Sequence, residues 1–230
     1  MIPVADRPLL LLDYDGTLAE IVANPMEAWP YPGVLELLTA LSAHHPVFVV
    51  TGRRLRDLGA LLPLPGLRAV GVHGMEEGRL GEAARPLVGQ AEVAALAEVR
   101  ETLPDYPGLT VEDKGVAVAL HYRRAVDEAA VRSVLEPWAA GLPGELEALW
   151  GKKVLELRPK GYGKGRAVAR LAGEHPGHTP VFIGDDTTDE EAFAVLAEGI
   201  TVKVGPGETG ARYRLDTIGE AVAYLRRYLV

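Results

Sequence analysis

Residues 9–18 read Leu-Leu-Leu-Leu-Asp-Tyr-Asp-Gly-Thr-Leu. The apolar run is what a strand buried on both faces of a parallel sheet looks like, and in open α/β sheets ligands gather beyond the carboxyl ends of such strands. Here that end is Asp13-Tyr14-Asp15-Gly16-Thr17. In an extended chain Asp13 and Asp15 point to the same side, where their like charges repel unless a cation or a shared proton relieves them. Mg²⁺ favours carboxylate and carbonyl oxygens and usually joins a phosphate, so it suits this place. The plainer reading of the same residues is a strand-end turn, for which Asp, Gly and Thr are ordinary choices.

Composition bounds what such a site could serve. The chain has 230 residues, 48% of them hydrophobic and 24% charged, with a formal net charge of -8. These are values of a globular protein large enough for one large domain or two small ones. The acidic balance argues against a nucleic-acid binder, although a small anion in a locally positive pocket is not excluded. There is no cysteine, which removes disulfides, thiolate metal sites and Cys nucleophiles together. No window approaches the roughly 18 consecutive apolar residues of a membrane span, and the N-terminus lacks the regions of a signal peptide. The expectation is a cytoplasmic monomer with a small-molecule substrate and neither nucleic-acid nor membrane partners.

Strand and helix alternate on either side of the opening motif. Asn24, Pro25, Pro30 and Pro32 suit a loop or short flap. Helical spacing of Val34, Leu37, Leu38 and Leu41 predicts a helix over 33–43. A buried strand over 46–50 ends in Thr51-Gly52-Arg53, a helix over 54–62 follows, and a short strand over 69–72 ends in His73-Gly74. Such alternation predicts a parallel sheet with right-handed crossovers. The middle of the chain differs. A helix over 91–103 with Val93, Leu96 and Val99 on one face precedes alternating stretches at 109–113 and 116–122. A helix carrying Val131, Val134, Leu135 and Trp138 follows, then strands near 146–149 and 153–157. Helix, hairpin, helix, hairpin is an α+β pattern, so residues 84–157 read as a second domain inserted into a core of 1–83 and 158–230. The α/β pattern then resumes, with a helix from Lys164, a strand over 180–183 ending in Gly184-Asp185-Asp186, a helix over 188–198, a strand over 200–204 and a helix over 217–229.

In a parallel sheet the strand ends at Asp13-Tyr14-Asp15, Thr51-Gly52-Arg53 and Gly184-Asp185-Asp186 converge on one edge. Lys164 begins a helix, whose N-terminus already favours an anion. A carboxylate nucleophile, a hydroxyl, an ammonium and a metal-binding carboxylate are what phosphoryl transfer requires, because its chemistry is mostly positioning and charge neutralisation.

These residues resemble a known superfamily. Asp13-x-Asp15-x-Thr17, Thr51, Lys164 and Gly184-Asp185-Asp186-x-x-Asp189 are similar, in order, to the four motifs of the haloacid dehalogenase superfamily. The resemblance implies a Rossmann-like parallel-sheet core with an inserted α+β cap of the C2 type, and an aspartyl-phosphate mechanism. It makes Asp13 the nucleophile and Asp15 the general acid and base. It gives Mg²⁺ to Asp13, the carbonyl of Asp15 and Asp185, with Asp189 supporting the metal and Asp186 able to share that task. Phosphoryl oxygens go to Thr51, Gly52 and Lys164.

A narrower resemblance covers nearly the whole chain. Val50-Thr51-Gly52-Arg53, Gly71-Val72-His73-Gly74-Met75-Glu76, Glu112-Asp113-Lys114, His121-Tyr122-Arg123, Gly151-Lys152-Lys153-Val154-Leu155-Glu156-Leu157-Arg158-Pro159 and Gly184-Asp185-Asp186-Thr187-Thr188-Asp189-Glu190 resemble the trehalose-6-phosphate phosphatase family. That implies a Mg²⁺-dependent sugar phosphatase of trehalose biosynthesis. Its disaccharide would be read by Glu76, Glu112, Lys114, Lys152 and Glu156, with His121 and Arg123 nearby. Without the resemblance, Glu112, Lys114, Glu156 and Arg158 read as cross-strand ion pairs on a solvated sheet, and His121 as structural. Phosphatases of sucrose phosphate, mannosyl-3-phosphoglycerate or glucosylglycerol phosphate, and a non-catalytic sugar-phosphate sensor, are the competing readings. The segment before Lys164 departs from the family, with Tyr162-Gly163 where a small polar pair is more usual. Trp138 at helical spacing suits a core, whereas Trp29 and Trp150 are left between core and sugar stacking.

Overall fold

The computed structural model describes residues 1–151 and 153–229. The chain divides into two compact units, one of residues 1–85 and 163–230, the other of residues 86–162.

The first unit is built on strands β1 (Pro8–Leu12), β2 (Val47–Val50), β3 (Arg68–Gly71), β4 (Glu76–Arg79) and β5 (Arg85–Pro86), with helices α1 (Val34–His44) and α2 (Leu55–Leu61) between them. The second unit contributes α3 (Gln90–Glu101), β6 (Thr110–Asp113), β7 (Val118–His121), α4 (Glu128–Ala140), β8 (Leu146–Gly151) and β9 (Val154–Pro159). The chain then re-enters the first unit with α5 (Lys164–Glu174), β10 (Thr179–Gly184), α6 (Asp189–Val195), β11 (Ile200–Val204), β12 (Tyr213–Leu215) and α7 (Ile218–Arg226).

The core sheet runs β12-β11-β10-β1-β2-β3-β4-β5. Its strands are parallel from β12 to β3, and β4 returns antiparallel to β3. β1 is central, paired with β10 in the register Leu12↔Ile183 and with β2 in the register Leu12↔Val49. All five of its residues are buried, and they divide by parity as the pleat demands. Leu10 and Leu12 join Val47, Val49, Val181 and Ile183 in a cluster with α1, α2 and α7. Leu9 and Leu11 join Phe48, Val50 and Phe182 in another with α5 and α6. A sheet covered on both faces is why these strands are continuous apolar runs. Local signals start some helices: Asp127 accepts the Ala130 N–H at the head of α4, and Thr217 that of Glu220 at the head of α7.

The second unit is an antiparallel sheet, β6-β7-β9-β8. One face is apolar, with Val118, Leu120, Tyr122, Leu146, Leu155 and Leu157 packed with Ala95, Leu96 and Val99 of α3 and Val131 and Leu135 of α4. The predicted face of α3 is thus corrected at one of its three residues, since Val93 is 47% exposed and Ala95 is buried beside Leu96 and Val99. Trp138 and Trp150 both pack against this cluster, whereas Trp29 is exposed. The other face carries Glu112, Ala119, Glu156 and Leu149 across its strands. Residues 158–162, read from sequence as core, group here. β9 runs on through Pro159, Lys160 donates its N–H to Glu145, and the Tyr162 hydroxyl reaches the Leu87 carbonyl. Among the described residues no helix is long and apolar enough to cross a membrane.

Leu11→Ala in the central strand should lower the unfolding free energy by about 2–5 kcal/mol, against less than about 0.5 kcal/mol for Val93→Ala on the exposed side of α3. Urea titrations of the two variants check this, and comparable losses would contradict the layer assignment.

Candidate active site

β1 passes its ladder on to Asp13, whose N–H donates to the Ile183 carbonyl at 2.9 Å. The chain then turns sharply: Leu18 and Ala19 both donate to the Tyr14 carbonyl, and the Tyr14 hydroxyl holds the Ala28 carbonyl at 2.7 Å. Gly16 has φ 75°, and a Cβ there would overlap the Asp185 carboxylate. Glycine at 16 therefore lets the end of β10 close on the end of β1.

Four strand and helix ends meet at Asp13. Lys164, the first residue of α5, places Nζ 2.8 Å from Asp13 Oδ1, 2.8 Å from Asp189 Oδ1 and 3.9 Å from Asp186 Oδ1. Lys164, Asp13 and Asp189 are all buried. Asp189 Oδ2 accepts the N–H groups of Asp185 and Asp186, which folds the turn between β10 and α6. Asp186 Oδ1 accepts from the N–H and hydroxyl of Thr188 and from the Asp189 N–H. Both acids therefore tie the turn, and Asp189 also meets Lys164 directly.

Burial pushes the Asp13 carboxyl up to about 7 against the opposing pull of Lys164. Burial and then the Asp13 charge take Asp189 to about 7, and burial with Asp186 and Asp189 takes Asp185 to about 6. For Lys164 burial works downward, but Asp13, Asp189 and Asp186 outweigh it and hold the ammonium charged. Burial also opposes ionisation of Asp186, yet Lys164 and the Thr188 and Asp189 contacts keep it below the usual carboxylate range. The cluster holds more acid than one lysine neutralises. Oxygens of Asp13, Asp185 and Asp189 lie within 4.8 Å of one another. Three hard oxygen donors with no imidazole or thiolate form a set suited to a hard divalent cation.

The Asp15 carboxylate has a cationic partner of its own. Arg53 grips it through two hydrogen bonds, Nε to Oδ2 at 2.7 Å and the terminal nitrogen to Oδ1 at 2.6 Å. A guanidinium fork satisfies both oxygens at once, so each acid of the opening motif has its own cation. Arg53 ends the Thr51-Gly52-Arg53 loop. Thr51 is buried, donates its N–H to the Val70 carbonyl and accepts the Arg53 N–H on its hydroxyl.

Glu76 accepts the Leu55 N–H on its carboxylate and caps α2. In the second unit Glu112 meets His121 and Lys114 meets Glu156, each at 2.9 Å. The cross-strand pairs of the plainer reading are therefore formed. Arg158 pairs with Glu147 at 2.8 Å. Arg123 is exposed in the turn after β7, and Lys152 lies outside the described residues. Sequence reasoning missed the partners of the motif acids. Arg53 was visible only as a charge after a strand-end Thr-Gly. Lys203 was visible as one cation in the apolar strand β11; it is buried and donates to the Asp185 carbonyl.

The model of the family described as trehalose-phosphatase matches residues 11–217 of this chain. The chain belongs to the trehalose-phosphatase family. It is similar to a trehalose-phosphate phosphatase of Mycobacterium tuberculosis H37Rv, 34% identical over 252 residues that cover 97% of this chain and 62% of that protein. The chain thus spans less than two thirds of the length of its mycobacterial relatives. It is 33% identical over 244 residues to a trehalose-6-phosphate phosphatase of Escherichia coli K12, covering 97% of this chain and 89% of that one. A solved trehalose-6-phosphate phosphatase related protein superposes with a TM-score of 0.77 at 31% identity, over 96% of each chain.

Because the Asp13, Asp185 and Asp189 carboxyls titrate above the ordinary aspartate value of about 4, the unfolded chain gives up these protons before the folded one. In metal-free protein their contribution to stability is full below that value and is lost as pH rises towards about 7. A divalent cation should restore it. Thermal melts across this range should show a shallower fall and a smaller cation response for Asp185→Asn, and identical curves would refute the cluster's electrostatics.

Proposed function

We propose that this protein is a Mg²⁺-dependent phosphatase that hydrolyses trehalose 6-phosphate to trehalose and phosphate. The observation that carries the reading is the set of buried Asp13, Lys164 and Asp189 with half-buried Asp185 at converging strand and helix ends, in a chain of the trehalose-phosphatase family. Asp13 is the nucleophile: one carboxylate oxygen forms a bond to phosphorus as the sugar oxygen leaves. Asp15 gives its proton to that oxygen, and donation requires one of its oxygens to exchange its Arg53 contact for the leaving group. Asp15 then takes a proton from water, which attacks the phosphoryl group, regenerates the Asp13 carboxylate and releases orthophosphate. Thr51, the Gly52 N–H and Lys164 receive the phosphoryl oxygens. Asp13, the Asp15 carbonyl, Asp185 and Asp189 would hold Mg²⁺, whose charge offsets that of the phosphoryl group.

The first unit, on this reading, carries the catalytic step and the second selects the sugar. A disaccharide is rich in hydroxyls, and directed hydrogen bonds to each reject analogues that lack it. The polar face bearing Glu112, Lys114, His121 and Glu156 supplies such donors and acceptors. Its ion pairs hold those side chains in place until hydroxyls compete for them.

Phosphate release across a panel of sugar phosphates, with and without Mg²⁺, should show trehalose 6-phosphate as the preferred substrate and activity lost without metal. Asp13→Asn should abolish turnover while the protein still folds; turnover at the wild-type rate would refute the mechanism. Glu156→Ala should lower kcat/KM for the disaccharide by at least about tenfold and leave a small aryl phosphate nearly unaffected, whereas equal losses would reject a sugar-reading role.

A further inference from the structure

The turn after β3 holds two of the three left-handed non-glycine residues among those described, Val72 (φ 45°) and His73 (φ 52°), followed by Gly74 (φ 100°). For a β-branched residue such as Val72 this conformation is a genuine outlier, and it persists only where surroundings over-determine it. Here the surroundings are the Thr51-Gly52-Arg53 loop. Val72 donates its N–H to the Arg53 carbonyl at 3.0 Å, and His73 donates its own to the Thr51 carbonyl at 3.0 Å. The His73 ring closes the third side. A Cβ at Gly52 would lie 2.6 Å from His73 Nε2 and 2.7 Å from Cε1, and the three nearest atoms all belong to that ring. Gly52 is not left-handed, so it is the ring rather than the backbone that excludes a side chain there. The same turn reaches the other phosphate-binding element: a Cβ at Gly74 would lie 3.0 Å from the carbonyl of Gly163, the residue before Lys164.

We propose that His73 is a positioning residue of the phosphate site. Its ring packs on the Cα of Gly52 and, with the strained turn that presents it, holds the Gly52 N–H and the Thr51 hydroxyl in the orientation that receives a phosphoryl group. The inference rests on the phosphatase reading above. Three fixed points on a three-residue loop leave its N–H groups little freedom, and donors held in place before the ligand arrives cost nothing to organise on binding. The strain at Val72 and His73 is what presenting the ring at this spot costs the fold.

The test is orthophosphate affinity, measured by calorimetry in the presence of Mg²⁺. His73→Asn retains a residue that tolerates left-handed backbone but is too short to cover Gly52. It should raise the orthophosphate Kd on the order of tenfold while the thermal midpoint stays close to wild type. Gly52→Ala should weaken binding similarly by displacing the ring, and it serves alone if His73→Asn does not fold. In the double variant the new methyl enters the space the ring has left, so the second substitution adds little and the two losses are far from additive. Undiminished affinity in either single variant, or additive losses in the double, overturns the assignment to His73. A wild-type protein that binds no orthophosphate would overturn the phosphatase reading itself, and this inference with it.

Discussion

An ammonium with 2% exposure has surrendered its water, and the Lys164 site is arranged around replacing it. Taking one charge into the interior is costly unless partners of opposite sign stand at hydrogen-bonding distance. Asp13 and Asp189 do so at 2.8 Å each. The three residues come from the end of β1, the start of α5 and the start of α6, so none of these elements can shift without exposing a buried charge. The knot therefore sets the alignment of strand ends on which a phosphate site depends. It also leaves an excess of negative charge at Asp185 and Asp189, and that excess gives a divalent cation a reason to bind.

The surroundings of the knot extend the same economy of position. Glycine at 16 admits the Asp185 carboxylate, Lys203 ties the Asp185 carbonyl, and Arg53 carries Asp15 outside the knot. Two carboxylates only two residues apart are thereby given separate electrostatic settings, which is what would let them take the different tasks proposed for them. In the second unit the sheet has one face in the apolar cluster and another that bears Glu112, His121 and Glu156. The apolar face supplies its cohesion, which leaves the polar face available for recognition.

The core was legible because buried parallel strands are continuous apolar runs and each motif stands at the end of one. The order of elements, the burial of β1 on both faces and the hairpins of the second unit follow from period and turn residues, whereas the central place of β1 does not. Less visible were β4, whose Glu76-Glu77-Gly78-Arg79 has no apolar alternation, and the short edge strand β12. Local spacing brings Asp13 and Asp15 to one strand end but not the cations that meet them, because Lys164 and Arg53 arrive from elements distant in the chain. The role of Glu76 was hidden for a similar reason: capping a helix that starts at Leu55 is a matter of three-dimensional proximity with no trace in local spacing. The partners that complete the site, Arg53 and Lys203, are single charges whose meaning appears only when strands distant in sequence lie side by side.

The pairing of β1 with β10 has a consequence for synthesis of the chain. Leu12 is matched with Ile183, so the strand bearing Asp13 keeps one open edge until synthesis has passed Ile183. The helices and antiparallel sheet of the second unit, by contrast, lie within residues 86–162, and they can form while that edge waits. An unpaired strand of consecutive leucines invites association with other chains. The nascent protein must shelter it until β10 is made, and Asp13, Lys164 and Asp189 first come together when that exposure ends.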